Sequence, residues 1–187
     1  MDSRETVVTI HMAASLDGFI ARQDGRVDWM ETQDEFPGGE TLDPAYVSAV
    51  LDGIDCYVMG AKTFETALDF ENKGFGWAYG NKPVVVLSTR DLSSSRPVVT
   101  FRSGDLKPIF EELRSRYRHI WVAGGGRLAC DCVRLGIADE IRYSILPVLI
   151  GDGIGFFEGL DCDVNLHLLE VKAYRNGMVG MHHRIVR

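Results

Sequence analysis

The chain has 187 residues, of which 45% are hydrophobic and 25% charged, with a formal net charge of −7. This composition excludes an intrinsically disordered polymer and speaks against a nucleic-acid backbone binder, which needs a dense Lys/Arg surface. The length suits one domain over residues 1–187 with a sizeable core. The longest apolar runs, PVVVL and SILPVLI, are far shorter than the roughly 18 residues that span a bilayer. The first residues, MDSRETVV, carry no apolar leader. The expected setting is therefore the cytoplasm, with a small-molecule substrate and no nucleic-acid or membrane partner. Cys56, Cys130, Cys132 and Cys162 read as reduced thiols, because a domain of this size needs no disulfide staples. A lone C-x-C is no zinc site, and neither H-E-x-x-H nor a deaminase signature occurs, so no metal is expected.

In chain order, TVVTIHMAA alternates as a strand does. SLDGFIARQDGRVDW reads as a loop from its Gly and Asp content. Residues 43–51 suit a short helix with Pro44 in its first turn. IDCYVMG is a buried strand, AKTFETAL opens a helix, and KPVVVLS and PVVTF are further strands. LKPIFEELRSRY places Leu106, Ile109, Phe110, Leu113 and Tyr117 on one helical face. HIWVA is a strand, GGGRLACDCVRLG a glycine turn opening a helix, and EIRYSILPVLI a strand. LHLLEVKAY and MVGMHHRIV flank Asn176-Gly177, a hairpin signal. The alternation predicts an α/β fold: a central mixed, mostly parallel sheet with helices on both faces and a C-terminal antiparallel hairpin. Ligands of such sheets gather at the carboxyl ends of the strands.

Three strand ends carry suitable groups. Gly124, Gly125 and Gly126 follow HIWVA and lead directly into a helix, with Arg127 next. Without Cβ atoms the backbone can approach a phosphate, and the helix N-terminus offers free N–H groups and partial positive charge. Gly60 ends a second strand before Lys62 and Thr63; Ala61 stands where a Walker A loop needs glycine, which disfavours a nucleotide triphosphatase. Ser88, Thr89 and Arg90 end a third strand with two hydroxyls and a guanidinium. Their recurrence suits one elongated nucleotide cofactor across the sheet edge. Asp28 beside Trp29 pairs a carboxylate with a flat ring, a set able to hold the N–H edge of a heterocycle; a turn or cap role is the alternative.

The ordered segments SLDGFIA, VMGAKTFE, LSTR, AGGG and DEIRYSILPVLIGDG resemble the dihydrofolate reductase-like superfamily. Within it they resemble most closely the C-terminal reductase domain of the bifunctional riboflavin-biosynthesis deaminase/reductase. The resemblance implies NADPH, a heterocyclic or ribosylaminopyrimidine-like substrate, and a homodimer. It implies that Ala13 and Ile20 flank the nicotinamide and that Gly60, Lys62 and Thr63 cradle phosphate. Ser88, Thr89 and Arg90 would face the adenosine and its 2′-phosphate, and Gly124, Gly125, Gly126, Arg127 and Leu128 the pyrophosphate. The first glycine pair would be joined by a cis peptide. Asp28, as the group orienting a proton donor, would line the substrate side with Trp29, Ser144 and Phe156; Asp34 rivals Asp28. Ala61 replaces an arginine usual in dihydrofolate reductases, leaving NADPH preference to Arg90 and Lys62. Two alternatives remain: a non-catalytic nucleotide or pterin binder, and a Rossmann-type NAD-dependent oxidoreductase, since residues 124–129 fit G-x-G-x-x-A.

Overall fold

The computed structural model describes residues 6–187; residues 1–5, part of the segment read as leaderless, lie outside them. The elements are β1 (Val7–Ser15), β2 (Phe19–Ala21), α1 (Pro44–Asp52), β3 (Cys56–Gly60), α2 (Ala61–Phe70), β4 (Val84–Leu87), β5 (Val99–Arg102), α3 (Leu106–Arg116), β6 (His119–Val122), α4 (Gly126–Arg134), β7 (Glu140–Leu146), β8 (Ile154–Gly155), β9 (Leu166–Ala173) and β10 (Val179–Ile185). Eight strands form one sheet in the order β5-β4-β3-β6-β1-β7-β10-β9. The first six run parallel, and β10 pairs antiparallel with both β7 and β9. This is the expected α/β class.

Alternation along β1 builds the core. Val8, Ile10, Met12 and Ala14 pack with Ile109, Phe110 and Leu113 of α3 and Ala129, Cys132 and Val133 of α4. On the other face, Tyr57, Met59, Val84 and Val86 pack with Phe64 of α2. Helices therefore cover both faces. Asp43 caps α1, its side chain accepting from Ala45 N–H at 2.9 Å, with Pro44 in the first turn, where a missing N–H costs nothing. Cys56, Cys130 and Cys132 are buried, Cys162 is exposed, and all four are free thiols. Burial pushes the Cys56 and Cys132 thiols up to about 12, so both are inert at neutral pH.

Several boundaries differ from the sequence expectation. The segment read as a loop after β1 contains β2, which pairs antiparallel with β8 in a separate two-stranded sheet. Strands of three and two residues are too short to show a period. β7 ends at Leu146 rather than Ile150, because Pro147 has no N–H to give the ladder. α2 continues to Phe70 and then widens into a π turn over Glu71–Phe75. The hairpin closes through Tyr174 N–H to Met178 C=O, so its loop has three residues, with Gly177 at φ 77° in the left-handed position. Residues 36–40 run beside this loop: Glu40 N–H donates to Ala173 C=O and Arg175 N–H to Glu40 C=O, covering the last part of the β9 edge.

Candidate active site

Strands β3 and β6 are neighbours, and the chain departs from them on opposite faces, into α2 and into α4. Such a divergence opens a crevice at the carboxyl edge of the sheet. Gly60 N–H donates to Gly124 C=O at 3.0 Å and ties the two strand ends together. The caps of α2 and α4 are Gly60 and Gly125, and neither helix has a side-chain cap hydrogen bond. Two sets of unpaired helical N–H groups therefore open at one notch. The Gly124–Gly125 peptide is cis, as the resemblance implies, and Gly124 has φ 135°. A Cβ on Gly124 would lie 3.0 Å from Thr63 Oγ1, and one on Gly126 only 2.1 Å from Gly155 C=O, whereas one on Gly125 would meet nothing closer than 4.0 Å. Thr63 is thus the third residue of α2, lining the notch instead of capping the helix. Lys62 and Arg127 are exposed at its rim, and Leu128 packs partly into the core. The helix N-termini and absent side chains fit a diphosphate.

The edge continues outward to β4 and β5. There a cleft of about 250 Å³ is lined by Ser88, Thr89, Arg90, Arg102 and Ser103, among others. Ser88 Oγ accepts from Arg90 N–H at 2.9 Å, and Arg90 pairs with Glu65 of α2 at 2.8 Å. Arg102, which pairs with Glu112 at 2.8 Å, and Ser103 were missed in the sequence. The signal was present: β5 also ends in a basic residue and a hydroxyl. From β5 to β7 the edge crosses five inter-strand steps, roughly 24 Å at about 4.8 Å each, long enough for an extended dinucleotide.

Toward β1 and β7, Ala13 and Ser144 are register partners at the far end of this edge. The loop that follows β1 is anchored. Asp17 accepts from Gly151 N–H at 2.7 Å and from Ile150 N–H at 3.1 Å. The Ser15 hydroxyl, with these amides, holds the Asp17 carboxyl below the usual carboxylate range. Ile20, in β2, packs against the core, and a Cβ on Gly153 would strike Ala21 C=O at 2.2 Å, so β2 and the segment before β8 are in close contact.

A second cleft, of about 150 Å³, lies on the sheet face under α1. Its floor includes His11, Trp121, Arg142 and Ser144, and its apolar wall Val47 and Leu51. His11 stacks on Trp121 with ring centroids 4.6 Å apart, and its Nε2 is 2.9 Å from Ser144 Oγ. Burial, followed by the positive charge of Arg142, lowers the His11 pKa to about 4, so the ring is neutral at pH 7. Trp121 leads through Ala123 into the Gly124 notch, so this cleft and the notch share one strand. Ser144 was expected at the substrate side; His11, Trp121 and Arg142 were not. The usable signal is a polar residue inside an apolar strand.

The other residues expected at the substrate side do not line this cleft. Asp28 accepts from Arg22 Nε at 2.7 Å, and Arg26 lies 3.6 Å away. The Arg22 hydrogen bond lowers the Asp28 pKa, and the carboxylate is half-exposed in this surface ion network. It does not line the cleft under α1. Trp29 is buried with its Nε1–H unpartnered. Phe156 is core, packed on Tyr143 at 4.3 Å and Phe157 at 4.8 Å. Of the rivals, Asp17 is the loop anchor just described, and Asp34 is exposed beside Gly177. Among the described residues no cluster of His, Cys, Asp or Glu has the makings of a metal site, and no helix is long and apolar enough to cross a membrane.

Residues 6–180 match the model of the RibD C-terminal domain. The chain belongs to that family. As a RibD C-terminal domain it has the dihydrofolate reductase-like fold, which corrects the Rossmann alternative: the G-x-G-x-x-A segment follows β6 rather than the first strand. The domain is similar to the uncharacterized protein YwjB of Bacillus subtilis (strain 168), with 30% identity over 172 residues, covering 91% of this chain and 92% of that one. In structure it resembles a protein of Shewanella sp. PV-4 provisionally named for riboflavin biosynthesis, with a TM-score of 0.82 and 24% identity, covering 97% of this chain and 100% of that one. A pyrimidine reductase-like protein of Corynebacterium diphtheriae matches with a TM-score of 0.68 and 17% identity, covering 98% of this chain and 93% of that one. These two likenesses are of fold.

Proposed function

We propose that this chain is an NADPH-dependent reductase that transfers hydride to a small heterocyclic or ribosylaminopyrimidine-like substrate. The observation that carries the reading is the notch where two uncapped helix N-termini, at Gly60 and Gly125, meet beside a cleft on the same sheet. Membership of the RibD C-terminal domain family and the fold shared with a pyrimidine reductase-like protein support it. When bound, NADPH supplies the hydride. The chain supplies binding and orientation. Gly60, Thr63, Gly124, Gly125 and Gly126 hold the pyrophosphate, with Lys62, Arg127 and Leu128 beside it. Ser88, Thr89 and Arg90 hold the 2′-phosphate end, and Ala13 and Ile20 flank the nicotinamide. The Asp17 anchor fixes the loop between those two and helps exclude water.

On the substrate side, the Ser144 hydroxyl, held by His11, orients the polar edge of the ring, and Trp121 supplies a flat apolar surface. Asp28 has no part in this reading, since Arg22 occupies its carboxylate. β9 leaves Leu166, Leu168 and Val171 exposed, and we infer that a second copy of the chain covers them in a homodimer. The test is an NADPH titration followed by NADPH consumption over a panel of pterins and pyrimidines. Absence of NADPH binding would end the reading; binding without turnover on any of them would favour the non-catalytic alternative.

A further inference from the structure

We propose that Cys130 and Cys162 form a reversible oxidation site, in which a peroxide oxidises the exposed Cys162 and Cys130 of α4 then closes a disulfide on it. The inference does not depend on the reductase reading. One stripe of α4 faces the chain that follows β8. Gly126, the first residue of α4, marks the contact: a Cβ there would lie 2.1 Å from Gly155 C=O and 3.3 Å from Glu158 Cγ. Cys130 stands four residues on, one turn along the same face. The facing chain continues through Phe157, Leu160 and Val164, which pack against the core cluster that includes Ala129, Cys132 and Val133 of α4. Cys162 lies between Leu160 and Val164, so the chain passes the Cys130 turn where Cys162 stands. Electrostatics agrees with the packing. Burial raises the Cys130 pKa; Arg134 opposes this, and Asp131, Asp161 and Cys162 add to it. Such charge effects come from near neighbours.

The two thiols have different roles because their exposure differs. Cys162 is exposed, whereas Cys56, Cys130 and Cys132 are buried, so an oxidant in solution meets Cys162 first. Asp161 and Asp163 flank it and repel anionic oxidants such as oxidised glutathione, which favours a small neutral peroxide. The Cys162 thiolate attacks one peroxide oxygen: an S–O bond forms, the O–O bond breaks, and the departing hydroxide takes up a proton as water. The Cys130 sulfur then attacks the Cys162 sulfenic acid: the S–S bond forms, the S–O bond breaks, and the Cys130 proton leaves with the hydroxide as a second water. Two thiols are oxidised and one peroxide is reduced. Residues 156–165 belong to no helix or strand, and Gly159 has φ 79°, so this segment can bring the sulfurs together without breaking a sheet ladder. Cys132 is no rival for Cys130. It lies two residues further along α4, on the other side of the helix, and is fully buried with its pKa pushed up to about 12.

The test treats the native full chain with hydrogen peroxide, blocks the remaining thiols by alkylation, and reads the products by intact mass and by peptide mapping with fragmentation. The expected product is a monomeric chain lighter by two hydrogens before alkylation, with Cys130 and Cys162 in one cross-linked peptide pair and Cys132 alkylated once the chain is unfolded. Closing that loop in the unfolded chain should raise the Tm by about 4 °C or more, and dithiothreitol should reverse the rise. Cys162→Ser, a surface change, should abolish both the cross-link and the rise. Cys130→Ala should fold and leave Cys162 to proceed to the sulfinic acid, because no resolving thiol remains. Four outcomes overturn the proposal: Cys162 of the parent going to sulfinic acid without a cross-link, a Cys162–Cys162 link between two chains, a cross-link through Cys132, or a cross-linked form that melts below the reduced one. If Cys130→Ala does not fold by circular dichroism, the parent and Cys162→Ser decide.

Discussion

Replacing Gly125 with alanine separates cofactor binding from folding, because the three consecutive glycines are crowded to different degrees. Gly125 has φ −93°, ordinary for any residue, and its new Cβ would be 4.0 Å from the nearest atom, Thr63 Oγ1. The variant should fold with a Tm within about 2–4 °C of the parent, the equivalent of about 1 kcal/mol for a chain of this size. The same methyl group projects into the notch proposed to hold the pyrophosphate, in front of the α4 N–H groups. Loss of one charge-assisted hydrogen bond, roughly 1.5–3 kcal/mol, weakens NADPH about tenfold to a hundredfold. Gly126→Ala is the contrast: its Cβ would lie 2.1 Å from the backbone oxygen of Gly155, which cannot swing aside. Overpacking of roughly 1–3 kcal/mol or more should lower its Tm by several degrees. The assays are fluorescence titration of NADPH and a thermal melt on each variant. A Gly125→Ala protein with the parent's Tm and the parent's NADPH affinity would refute the placement of the pyrophosphate.

Arg90→Ala should weaken NADPH about tenfold to a hundredfold and NADH far less, while Glu65→Gln, by freeing Arg90 from its 2.8 Å partner, should improve the NADPH:NADH ratio. Equal losses for both cofactors in paired titrations would show that Arg90 does not read the 2′-phosphate. His11 has a folded pKa of about 4 against 6.5 when free, so between those values the unfolded chain binds the proton and the native one does not. Stability is complete above about pH 6.5 and falls as the pH drops toward 4, by roughly 3 kcal/mol from this group. His119 shifts in the same direction, so the measurement is the difference in urea midpoints between parent and His11→Gln across that window; parallel pH curves would contradict it. Light scattering at micromolar concentration should give a dimer, and Leu168→Glu, at a side chain 51% exposed, should give a monomer. A monomeric parent would remove the proposed homodimer.

Much was legible in the sequence because local rules decide it. The period-2 pattern of β1 and the glycine run before α4 need nothing beyond neighbouring residues to be recognised. So do the proline and Asp43 that open α1. Those features placed Gly60, Thr63, Gly124, Gly125 and Ser144 at strand ends or in strands, and a parallel sheet then brings strand ends to one edge. The tertiary structure decided what depends on which strands are neighbours. Residue order does not reveal that β6 inserts between β3 and β1, and only that insertion sets the helix starts at Gly60 and Gly125 side by side. It also decided which polar residues meet: His11, Trp121, Arg142 and Ser144 come from three strands and share a face. Asp28 lay beside Trp29 in sequence, but an exposed carboxylate takes the nearest guanidinium, and folding put Arg22 there. Ion pairing and strand order are non-local, which is why the chain's composition and periodicity marked its strand ends but left the lining of the cleft under α1 to the fold.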